Sequence, residues 1–187
     1  MRIIETKAFT YSELSDIAKQ NARDWYTGEE FEFSPDSVIE DAKQIAAILG
    51  VSDCKVLYSG FWSQGDGACI NGDYSYSKGT LKRIKEYAPL DTVLHGIAKR
   101  LQDAQRKAFY KLECKIKHSG NYCHAYSMDF DFYNAFSTNE IIECFRDFAK
   151  WIYKQLENEY AYQTADSEVE EMLLINEYEF TEKGNRL

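Results

Sequence analysis

Apolar positions recur at two periods along this chain, and the points where the period changes mark the predicted elements. Residues 2–9 alternate and include two consecutive Ile, which predicts a first strand. Thr10 and Glu13 follow at capping-box spacing, where each side chain reaches the other residue's free backbone N–H. Leu14, Ile17, Ala18, Ala22 and Trp25 then fall at helical steps, and Gly28 is placed to end that helix. Ser34-Pro35 gives a second start, a capping residue followed by proline at the first helical position. Val38, Ala42, Ile45, Ala46 and Leu49 form its inner stripe, and Gly50 its stop.

Residues 55–61 and 68–76 read as a strand pair around Trp62-Ser63-Gln64-Gly65-Asp66-Gly67, with Asp66-Gly67 as hairpin-turn chemistry. A short helix is expected at 80–87 and a longer one at about 91–108, with Leu94, Ile97, Ala98, Leu101 and Ala104 facing inward. Residues 110–118 and 122–133 both alternate about the turn residues Ser119-Gly120-Asn121, the best hairpin in the chain. Ser137 and Glu140 form a second capping box, opening a long helix with Ile141, Phe145, Phe148, Ile152 and Leu156 inside. Ser167 and Glu170 repeat that spacing before a last helix through Met172 and Leu173, and a short tail covers 178–180.

Two hairpins separated by helix pairs predict an α+β fold. We expect an antiparallel sheet of about five to six strands, the two hairpins plus the N-terminal strand, with helices mainly on one face. No Pro/Gly/Ser-rich linker divides the chain, so 1–187 is read as a single α+β domain. With 44% hydrophobic and 15% aromatic residues, the chain has the apolar surface a core needs and is not a disordered sequence. No apolar run approaches a membrane span, and the N-terminus lacks a signal-peptide core. Five unevenly spaced Cys without a C-x-x-C pair suit reduced thiols in a cytoplasm.

The formal charge of −9 conceals a segregation. Residues 78–117 hold eleven Lys and Arg against four Asp and Glu, a net of +7, so the rest carries −16. Six acids and no base lie in 29–41, and nine acids and no base in 157–182. An acidic surface repels nucleic acid and attracts basic clefts on proteins. The candidate partner-binding residues are therefore Glu29, Glu30, Glu32, Asp36, Glu168, Glu170 and Glu171. Direct nucleic-acid contact is the less favoured reading, and would use Lys82, Arg83, Lys99, Arg100, Arg106 and Lys107. Alternatively, the acidic and basic segments neutralise each other within the fold.

The glycine-rich run 58–68 offers Trp62, Ser63, Gln64 and Asp66 at an exposed tip as a recognition loop; a plain turn is the simpler reading. It lacks the strand-loop-helix order and the Lys-Ser/Thr pair of a phosphate-binding loop. A metal site from Cys114, His118, Cys123 and His124 is disfavoured, because on a regular hairpin Cys123 and His124 point to opposite faces. Asp129 and Asp131 share a strand face and read as solvent-facing. No catalytic residues, no metal ligands and no cofactor are assigned.

The runs 58–68 and Tyr110-Lys111-Leu112-Glu113, the helix residues Phe148, Trp151, Ile152, Tyr153, Gln155, Leu156, Glu157, Glu159 and Tyr160, and Asn176-Glu177-Tyr178 with Phe180 resemble a family of small acidic proteins. These are encoded by tailed bacteriophages and prophages, mostly without assigned function, and some are labelled antitoxin of a toxin-antitoxin stability system. The resemblance implies a setting in the bacterial host cytoplasm and carries over no catalytic residues. Together with the charge pattern it leads us to expect an acidic binding protein that occupies a host nucleic-acid-handling or defence protein, by DNA mimicry or by docking. The alternatives are an antitoxin-like protein with DNA contact through 78–117, and a small hydrolase or nuclease using Asp66 or the Asp129/Asp131 pair. The partner's identity and the oligomeric state are not legible.

Overall fold

A computed structural model of the chain describes residues 7–133 and 138–187. It is α+β, with the order β1 Phe9–Thr10, α1 Asp16–Trp25, α2 Asp36–Leu49, β2 Val51–Ser59, β3 Gly67–Tyr74, α3 Thr80–Tyr87, α4 Thr92–Lys107, β4 Cys114–His118, β5 Met128–Phe132, α5 Asn139–Gln163, α6 Asp166–Ile175 and β6 Glu179–Phe180. The chain groups into two compact units. One comprises residues up to Ser34 together with Asn158–Leu187, and the other is Pro35–Glu157. The expected N-terminal strand falls largely outside the described residues, as does Ser137 of the second capping box.

In the Pro35–Glu157 unit the four antiparallel strands run in the order β2-β3-β4-β5. The expected single sheet of five or six strands is therefore corrected. Strand β1 pairs with β6 in a separate two-stranded sheet of the other unit, matching Phe9 with Phe180. Along β4, Cys114 and Ile116 are buried while Lys115 and Lys117 are exposed, the alternation of a sheet with one wet face. On the dry face the Phe145 ring of α5 meets Tyr74 edge-on at 4.9 Å and Phe130 at 6.4 Å. Every expected inner residue of α4 and α5 is buried. Helix α2 begins one residue later than expected, with Pro35 at the cap instead of Ser34. It ends at Gly50, whose φ of 104° is left-handed and whose carbonyl accepts from Ser75 N–H.

Three local expectations fail for identifiable reasons. The Thr10/Glu13 capping box exists, but it caps a short 3-10 turn at Tyr11–Glu13, and α1 starts afresh with Ser15 Oγ accepting from Ala18 N–H. That shift sets the inner stripe as Leu14, Ala18 and Ala22, and leaves Ile17 80% exposed. Gly28 does not stop the helix; it lies within a π-helical turn at Tyr26–Glu30. Ser167 sits in the first turn of α6 instead of capping it, because Ala165 holds the cap position.

The core of the first unit is small: Tyr11, Leu14, Ala18, Ala22 and Tyr26 against Val169, Leu173 and Phe180. No helix among the described residues is long and apolar enough to cross a membrane.

Candidate functional site

The strand β2 leaves the sheet at Ser59, which pairs with Gly67, so the hairpin connection is 60–66 and Asp66-Gly67 is not its turn. Trp62 stands 71% exposed at a φ of 66°, beside exposed Ser63 and Gln64. Asp66 is turned inward instead, and its carboxylate accepts from Ser63 N–H at 2.7 Å. The Phe61 ring stacks on Tyr153 of α5, centroids 5.9 Å apart. Trp62, Ser63 and Gln64 thus form a presented tip, while Asp66 braces it.

The second hairpin departs further from expectation. Strand β5 starts at Met128, paired with His118, so residues 119–127 are a loop closed by a 3-10 turn at Ala125–Ser127. Tyr122 and Tyr126, expected on one face of a strand, are exposed in this loop. Their alternation imitates a strand because every second residue happens to be aromatic or His. This loop folds onto the first hairpin. Ser59 Oγ accepts from Cys123 N–H and donates to Cys123 O, both at 3.2 Å. Gly67 permits the contact, since a Cβ there would lie 2.7 Å from His124 Cβ and 2.9 Å from His124 Cα. We expect Gly67→Ala to lower stability by about 1–3 kcal/mol and to speed amide exchange across 119–127. Unchanged exchange in that loop would contradict this packing.

Between the two loops and α5 lies a cavity of ≈ 400 Å³. Ala68, Ala125 and Ala149 supply apolar wall, Tyr126 and Tyr153 the rings, and Asp66, His124 and Lys150 the polar positions. Arg146 and Lys150 lie 4.9 Å and 5.5 Å from the Tyr126 ring centre, so the ring is held by cations. Such a hollow can receive a small ligand or a partner's side chain.

Under the same loop, three donors gather that the sequence did not bring together. Cys69 on β3, His118 at the end of β4 and Cys123 place Sγ, ring nitrogen and Sγ within 4.8 Å of one another. Cys69 is fully buried, and His118 and Cys123 are half-buried. Burial raises the Cys69 thiol pKa above its ordinary value, with neighbouring Cys123 adding and Ser127 opposing. The set weighed from sequence does not assemble. Cys114 is buried on the core face, and His124 Nδ1 accepts from Tyr126 N–H. A regular hairpin would separate Cys123 from His118; the actual loop reverses Cys123 toward it. Cys69 was missed because nothing in its local sequence marks it.

The acid pair considered for catalysis lies on the wet face: Asp131 pairs with Lys117 at 2.6 Å, and Asp129 is exposed. The basic stretch meets acids of its own unit. Lys82 pairs with Glu86, Lys99 and Arg106 with Asp103, and Arg100 with Asp147 at 2.6 Å. Arg83 donates to the Ile48 carbonyl, and Asp103 feels Lys107 nearby.

A family model described as a domain of unknown function, DUF8835, matches residues 35–166. The chain belongs to the DUF8835 family. No curated protein and no solved structure matches it. The DUF8835 span takes in the whole Pro35–Glu157 unit, and with it the cavity and the Cys-His-Cys group. Residues 29–32 and 168–171 fall outside it.

Charge divides between the two compact units. The Pro35–Glu157 unit has sixteen acids and sixteen bases, so it is formally neutral. The unit of the two chain ends has fifteen acids against six bases and carries the entire −9. Glu29, Glu30, Glu32 and Glu171 are exposed there and Glu168 half-exposed. Glu170 is committed internally, accepting from Arg23 Nη1 at 2.6 Å and from the Tyr11 hydroxyl at 2.8 Å. Asp36 belongs to the neutral unit, in the first turn of α2.

Proposed function

We propose that this protein is an acidic binding protein whose charged unit occupies a basic surface on another protein, of the kind that otherwise handles nucleic acid in a bacterial host cell. The observation that carries this reading is the concentration of the whole formal charge of −9 on one unit, the other being neutral. A field of one sign raises the encounter rate with an oppositely charged cleft and discourages acidic competitors. Glu29, Glu30, Glu32, Glu168 and Glu171 are the contact residues, and Glu170 supports them from within the Arg23 and Tyr11 network. Of the eleven cations of 78–117, Lys82, Lys99, Arg100, Arg106, Lys115 and Lys117 pair with carboxylates of their own unit, which favours protein docking over direct DNA contact. Binding of this kind inhibits the partner by occupancy.

The test is capture on the immobilised full-length chain from lysate of the bacterial host, with nuclease added. We expect a basic protein to be retained after nuclease treatment and released as salt is raised through a few hundred millimolar. Reversing Glu29, Glu30, Glu32, Glu168 and Glu171 to Lys should abolish capture while circular dichroism stays unchanged. Undiminished capture by the reversed variant would overturn the proposal, and so would partners that disappear with nuclease.

A further inference from the structure

We propose that Cys69, His118 and Cys123 bind one zinc(II) ion, leaving the fourth tetrahedral position to water or an incoming donor. Two thiols and an imidazole form a donor set that suits zinc, and three protein ligands leave its coordination open. Among the described residues, this is the group of three such donors within mutual reach.

The spacing is close to what the ion requires. With Zn–S near 2.3 Å and Zn–N near 2.0–2.1 Å, a tetrahedron places S and N about 3.6 Å apart and the two sulfurs about 3.8 Å apart. Cys123 Sγ and His118 Nε2 lie 3.8 Å apart, and all three donor atoms fall within 4.8 Å. Closure around an ion therefore needs side-chain shifts of roughly an ångström or less, with no strand rearrangement.

The imidazole also has an outer partner that suits the required tautomer. Ser127 Oγ donates to the His124 carbonyl at 2.8 Å, which uses its only hydrogen. With that hydrogen on the carbonyl, Ser127 Oγ can accept from His118, whose Nδ1 lies 3.1 Å away. That arrangement puts the proton on Nδ1 and leaves the Nε2 lone pair toward Cys123, 3.8 Å away. An outer hydrogen bond on the far ring nitrogen is the usual companion of a metal-bound His.

Each donor is held by a different segment. Cys69 sits within paired β3, and His118 N–H is fixed on Asn71 Oδ1 at 2.5 Å. Cys123 is clasped by Ser59 through both backbone groups. Buried Cys69 forms the floor, while half-buried His118 and Cys123 leave a route for entry. An ion here would cross-link β3, β4 and the 119–127 loop that carries His124 and Tyr126 to the cavity.

The full-length chain, purified under reducing conditions and stripped of metal, is titrated with zinc and with cobalt(II) and read by native mass spectrometry and absorption. One equivalent should bind, and cobalt should give the intense d–d bands of a tetrahedral site with thiolate charge transfer. Cys123→Ala and His118→Gln, at half-buried positions, should lose stoichiometric binding, whereas Cys54→Ser, outside the group, should keep it. Ser127→Ala acts through His118 and should weaken affinity about 10–100-fold. Absence of binding by the parent protein, or equal binding by Cys123→Ala and His118→Gln, would overturn the assignment. A Cys69–Cys123 disulfide in the reduced preparation would overturn it in favour of a redox pair. None of these results depends on the acidic docking surface.

Discussion

Gln105→Leu should lower the unfolding free energy by about 3 kcal/mol or more, because it strands several buried polar groups at once. Gln105 is 1% exposed and binds three of them. Its Nε2 donates to the Leu112 carbonyl at 2.7 Å and to the Tyr74 hydroxyl at 3.0 Å, and its Oε1 accepts from Leu112 N–H at 3.1 Å. Leu112 lies in the turn from α4 into β4 and is itself 1% exposed, so water cannot replace the lost amide. Tyr74→Phe removes only one of these bonds and should cost about 0.5–1.5 kcal/mol. Urea unfolding followed by circular dichroism separates the two variants. A Gln105→Leu midpoint no lower than that of Tyr74→Phe would show that the backbone groups find other partners.

Phe145→Ala should be at least as damaging, at about 3–5 kcal/mol. The ring is fully buried on α5 and bridges the helix to Tyr74 of β3 and Phe130 of β5. Truncation opens a cavity between two layers that rest on each other there. Since domains of this size are stable by only about 5–15 kcal/mol, much of the margin would go. Leu90→Ala, at a position 93% exposed, serves as the control and should stay within about 0.5 kcal/mol. Thermal unfolding of the three proteins reads the difference. A Phe145→Ala transition matching that of Leu90→Ala would mean the sheet and α5 do not share a core.

The sequence by itself determined the long helices and the α+β class. In α4 and α5 the apolar stripe and its burial lie within one element, so local period and tertiary burial report the same fact. It also determined that charge is segregated, because that is a property of composition. Only the tertiary structure decided which charges share a unit. It grouped 29–32 with 168–171, which are far apart in the chain, and assigned Asp36 to the other unit. Only the tertiary structure could bring Cys69 to His118 and Cys123, since that meeting depends on the loop at 119–127 folding back. The fold-back rests on Ser59 clasping Cys123 and on the missing side chain at Gly67, contacts made across the sheet. Alternation along 122–127 pointed instead to a continued strand. Local periodicity records which face a residue would prefer; closing a loop onto another element is set by a few distant contacts that leave no periodic trace.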